Sequence, residues 1–166
     1  MLIQGANVNF SDKISIQDTL KSLITHNIVV NMREGLPSVS ASDSLAAVAL
    51  PVARANLLRQ TLKHEDESCR DLGARTQLIH FNGEAGEIVV KHSNTSSNCE
   101  KKSDVQIVDE FMNSILKSVP HYRILRDPKW NTFGVGVAET EAQAATGCTH
   151  TVIATIIFGK SDEPAR

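Results

Sequence analysis

Three stretches of the chain repeat apolar residues every three or four positions, and three others read as strands. Ile16, Leu20, Leu23, Ile24, Ile28 and Val29 make one face of a first helix, which Asp12 or Ser15 is placed to cap and Glu34-Gly35-Leu36-Pro37 breaks. A second helix starts near Ser42 or Asp43 and carries Leu45, Ala46, Ala49, Val52, Ala53, Asn56 and Leu57. Its alanines predict close packing against a neighbour, and Pro51 predicts a kink or a split. The third is the most strongly amphipathic, with Val105, Val108, Phe111, Met112, Ile115 and Leu116 on one side. Pro120 lacks a donor and disfavours helical geometry at Val119, so this helix should stop and leave His121 just past its end. Strands are predicted at Glu87–Lys91, at 132–140 and at His150–Phe158, the last two as an antiparallel hairpin with a long loop, 141–149. A short strand at Met1–Gln4 and a short helix or turn at Asp71–Gln77 complete the reading. The polar run His92–Ser103 reads as an exposed loop, and the tail 160–166 as frayed.

Helices come first, then strands, with a helix between them, which implies an α+β layered domain. The 166 residues suit one domain, 1–166, with a sizeable core. With 41% hydrophobic and 22% charged residues, the composition is that of a water-soluble globular chain. A formal net charge of −2 and the lack of a basic stripe argue against a nucleic-acid partner. No apolar run approaches the roughly 20 residues needed to span a bilayer. The N-terminal residues do not look like a signal peptide, which implies an intracellular protein or a mature secreted form. Cys69, Cys99 and Cys148 form no CxxC pair, and one bridge plus a free thiol or three reduced thiols both remain open.

Four positions carry candidate chemistry. His64 sits in the charged break Lys63–Glu67, Glu87 follows Gly86 at a turn, and Ser118 and His121 flank Pro120. Two neutral imidazoles and a carboxylate suit a divalent transition metal such as Zn²⁺, with a position left for water. The residues are far apart in sequence, so only the fold brings them together. No acid is placed to complete a triad with Ser118 and His121, so no catalytic residue is assigned.

Several segments, in order, resemble the superfamily of cysteine-rich secretory proteins, antigen 5 and pathogenesis-related class-one proteins, the CAP or SCP-like domain. They are Asn31-Met32-Arg33 through Gly35-Leu36-Pro37, Asp43-Ser44-Leu45-Ala46 with Ala49 and Ala53, His64, Gly86-Glu87-Ile88, and Ser118-Val119-Pro120-His121. Ile124-Leu125 with Pro128, Phe133-Gly134-Val135-Gly136-Val137-Ala138 and the closing strand Thr151–Gly159 complete the match, over about residues 20–159. It departs from the family pattern at Ile115, where the family has tryptophan, in the missing Asn after Glu87, and at Ser118, where members with a full tetrad have a second Glu. The secreted eukaryotic members' cysteine set has no counterpart.

The resemblance implies a three-layered α-β-α sandwich with a central antiparallel sheet. It implies a cavity in which His64, Glu87 and His121 take a divalent cation such as zinc, with Ser118 at its wall. Some family members bind lipids in other clefts, so a lipid or small ligand is a second class of partner. Three functions follow as expectations: a non-enzymatic domain binding a cation or small ligand; a structural or interaction subunit of an intracellular assembly, with an unidentified protein partner; and, last, a metal-assisted hydrolase.

Overall fold

In the computed structural model, residues 15–162 are described. The predicted strand Met1–Gln4, the cap candidate Asp12 and the last residues of the tail lie outside them. The elements in chain order are β1 (Ser15–Ile16), α1 (Asp18–Ile24), β2 (Ser40–Ala41), α2 (Asp43–Arg59), α3 (Leu72–Leu78), β3 (Gly83–Ser96), α4 (Asp104–Lys117), α5 (Val119–Arg126), β4 (Thr132–Ala144) and β5 (Gly147–Ser161). α1 runs on through a π-helical turn, Thr25–Val30, and a 3₁₀ turn, Asn31–Arg33. Among these elements no helix is long and apolar enough to cross a membrane.

One sheet, in the order β1-β4-β5-β3, separates two layers of helix. Its long strands are antiparallel, as expected, but the sheet is mixed, because β2 pairs in parallel with Thr132 and Phe133 of β4. The parallel pairing follows from the connection. After Gly35-Leu36-Pro37 the chain runs briefly beside β4 before Ser42 caps α2, its hydroxyl accepting from Leu45 N at 3.2 Å.

Side-chain alternation assigns each strand's residues to the two faces. On one face α2 lies against β4 and β5, with Leu45, Ala49, Val52 and Ala53 over Ala138, Ile153 and Ile157. A Cβ at Gly134 or Gly136 would run into the backbone of α2 at Leu45-Ala46 or Ala49-Leu50, so these glycines permit the close approach that the alanines predicted. α2 is one helix through Pro51 rather than split there, and residues on both sides of the proline pack on the sheet. The other face carries the larger core, in which Leu20, Ile24, Ile107, Phe111, Ile115 and Leu125 meet Ile88, Val90, Val135, Ile156 and Phe158. The three-layered α-β-α arrangement is therefore observed.

Three further expectations are corrected. His92–Ser103 is not an exposed loop at its start: β3 pairs with β5 from Gly83 through Ser96, and His92 is buried at 1% exposure. The pattern is alternating, but the inward position holds an imidazole rather than an aliphatic chain. The loop 141–149 contracts to a tight connection, because β4 and β5 pair as far as Ala144 and Gly147. The first helix starts at Asp18, after Ser15 and Ile16 have paired with Glu139 and Ala138 of β4. Of the cysteines, Cys99 and Cys148 form a disulfide that ties the β3–α4 loop to the start of β5, and Cys69 is free and exposed.

Candidate ligand site at the free edge of the sheet

β3 is an outer strand of the sheet, and the predicted site residues lie around it. Glu87 projects toward the α2 side, opposite Ile157. Its side chain is 2% exposed, and burying an ionised carboxylate is costly unless it is paired. Arg75 of α3, itself 1% exposed, supplies the charge, with Nη2 2.7 Å from Glu87 Oε2. The same guanidinium donates to the Val48 carbonyl at 3.1 Å, the Arg70 carbonyl at 3.3 Å and the His64 carbonyl at 3.4 Å. Arg75 thus joins α2, α3, the His64 loop and β3.

The His64 loop is held by a second buried carboxylate. Asp66, 2% exposed, accepts from the backbone N–H groups of Ser68 and Arg70, both at 2.9 Å, and from Arg70 Nε at 2.7 Å. Burial opposes its charge, but these Arg70 and Ser68 hydrogen bonds outweigh it and hold its carboxyl below the usual range. From α2, Asn56 bonds Lys63 on both sides of its amide, donating to the carbonyl at 2.8 Å and accepting from the N–H at 2.6 Å. The charged run read as a break in the sequence is therefore a knotted loop, and it presents His64 to Glu87. His64 Nδ1 lies 2.9 Å from Glu87 Oε1. A carboxylate oxygen accepts, so Nδ1 carries the proton, and in the neutral ring Nε2 keeps a lone pair on a side chain that is 55% exposed.

His121 comes from the other layer. α4 stops at Lys117 as Pro120 predicted, but His121 is not just past a helix end. Ser118 caps a new helix, α5, with Pro120 in its first turn, where a missing N–H costs nothing. The Ser118 hydroxyl accepts from His121 N at 3.5 Å, so its contact is with backbone rather than with either imidazole. α5 reaches β3 because Gly86 has no side chain: a Cβ there would stand 3.0 Å from Trp130 and 3.1 Å from Ile124. His121 Nδ1 is buried without a hydrogen-bond partner. Burial, and next the charge of His64, push the His121 pKa below its ordinary value.

The structure thus joins His64 to Glu87 directly, while His121 stands on α5, the helix that packs on β3 at Gly86. Among the described residues no three His, Cys, Asp or Glu side chains form a ready-made ligand set for one ion. Arg75 was missed in the sequence. A buried arginine looks like any surface arginine in the short segment 71–77, and only the need of Glu87 for a counter-charge points to it.

The sequence matches no protein-family model and no curated protein. The backbone is similar to that of an outer surface protein from Borrelia burgdorferi, with a TM-score of 0.61 at 17% identity over 89% of this chain and 98% of that one. It is also similar to an extracellular protein containing an SCP domain from Bacillus anthracis str. Ames. There the TM-score is 0.53 at 17% identity, over 80% of this chain and 39% of the other. The chain therefore has the SCP-like, or CAP, fold that its motifs resemble.

Proposed function

We propose that this SCP-fold domain is a non-enzymatic binding module whose edge site takes a divalent transition cation, zinc by preference, through His64 Nε2 and His121 Nδ1. The observation that carries the reading is the Glu87–His64 hydrogen bond, because a carboxylate on the far nitrogen is how proteins aim an imidazole at a metal. Glu87 then orients the ligand rather than binding the ion, with Arg75 as its counter-charge. The orphaned His121 Nδ1 supplies the second nitrogen. Elemental analysis and zinc titration of the purified protein test this. Zinc should bind one per chain, His121→Ala should abolish it, and Glu87→Gln should weaken it about 10- to 100-fold. Equal zinc in the wild type and His121→Ala would remove the proposal.

One observation favours a second reading, an interaction domain that keeps the fold without a working metal site. Arg75 already gives Glu87 a cation. A protein that holds no zinc and co-purifies with a stable partner from native extract would support that reading.

A further inference from the structure

On the opposite face of the sheet, under α4, two more histidines are buried. His92 of β3 is 1% exposed and His150 of β5 is 4% exposed. In the β3–β5 register they are diagonal neighbours, since His92 faces Val152 while His150 faces Asn94. Their ring centroids stand 6.2 Å apart with an interplanar angle of 62°. Each ring meets a carboxylate at one nitrogen: His92 Nδ1 at Glu110 of α4, and His150 Nε2 at Glu139 of β4, the latter at 2.6 Å. The other nitrogens, His92 Nε2 and His150 Nδ1, are buried with no hydrogen-bond partner.

The two acids fix the tautomers. Glu110 also receives the Lys102 ammonium, which more than any other group holds its carboxyl below the usual range, against some desolvation. As an ionised acceptor it leaves the proton on His92 Nδ1, and Glu139 does the same for His150 Nε2. In the neutral form of each ring the unpartnered nitrogen carries a lone pair. Glu139 approaches His150 from β4, on the side away from β3, and Glu110 approaches His92 from α4. The free nitrogens are the ring atoms that do not meet those acids, on two neighbouring buried rings. Two ring nitrogens without a hydrogen-bond partner are thus left on neighbouring buried imidazoles.

We propose that His92 and His150 form a second, buried transition-metal site, a two-imidazole set with Glu110 and Glu139 as orienting carboxylates. At this ring spacing, one ion with bonds of about 2 Å to both nitrogens lies nearly on the line between the rings. Neutral imidazoles backed by carboxylates suit copper or zinc, and the general order of divalent-ion affinities favours copper.

The test separates this site from the edge site. Copper(II) is added to a His64→Ala/His121→Ala protein, and the bound ion is read by electron paramagnetic resonance. The expected result is one tightly held ion with hyperfine structure from two nitrogens. Glu110→Gln should weaken it about 10- to 100-fold, and His150→Asn should abolish it. Failure to bind copper, or binding indifferent to His150→Asn, overturns the proposal. A readout on the unaltered protein guards against a variant that fails to fold. Zinc titration should shift the ring ¹⁵N resonances of His92 Nε2 and His150 Nδ1, and unmoved resonances at both rings would overturn the proposal equally.

Discussion

Glu87 and His92 leave the same strand on opposite faces, and their surroundings are inverted. On the α2 side the carboxylate is sealed in the protein and its imidazole, His64, lies largely in solvent. On the α4 side the imidazole is sealed in and its carboxylate, Glu110, is partly in solvent. The buried member dictates what else the fold must provide. A buried carboxylate demands a permanent cation, and Arg75 is brought in from α3 to supply it. A buried imidazole does not require a permanent counter-charge, and Glu110 can share its charge with Lys102 at the surface.

The inversion breaks most sharply at Arg75. Arg75→Met strips the counter-charge from a carboxylate whose side chain is 2% exposed, and should cost about 3–5 kcal/mol in urea unfolding. Adding Glu87→Gln should recover much of that loss, since it removes the stranded charge. His92→Ala on the other face should cost less, about 1–3 kcal/mol, because Glu110 keeps Lys102 and its access to water. If His92→Ala proves the more damaging of the two, the account of the two faces is wrong.

The smallest effect is on pH dependence. Burial holds the folded-state pKa of His121 below 6.5, so above that pH the ring is neutral both folded and unfolded. As pH falls below about 6.5 the unfolded chain takes its proton first, and stability declines until the folded-state value is passed. His121→Gln should flatten this limb of the stability–pH curve, measured as the urea midpoint between neutral and mildly acidic pH. An unchanged limb would mean that His121 titrates as freely folded as unfolded.

How much of this was legible varies with where the information lies. α2 and α4 follow from their apolar stripes, α2 also from its start at Ser42, and β5 from its run of aliphatic residues, all local signals. His64, Glu87 and His121 were found through ordered motifs, because chemistry alone could not single them out among six histidines. The extension of β3 past Lys91 was hidden. In Lys91-His92-Ser93-Asn94-Thr95-Ser96 the inward and outward positions are all polar, and the inward His92 is made acceptable by an acid eighteen residues away. The parallel pairing of β2, Arg75 and the Cys99–Cys148 bridge were hidden for the same reason: each is settled by a partner distant in sequence.

The ladder between β3 and β5 is in continuous register from Gly83–Ser161 to Ser96–Cys148. It therefore acts as a reading frame for both centres. Inserting or deleting a single residue between Glu87 and His92 would turn one of them to the wrong side, stranding an acid under the apolar face of α4 or sending an imidazole out beneath α2. Change along this strand must come by substitution or in steps of two residues. In distant relatives with this fold, the spacing between the two positions should accordingly keep its parity more faithfully than either residue keeps its identity.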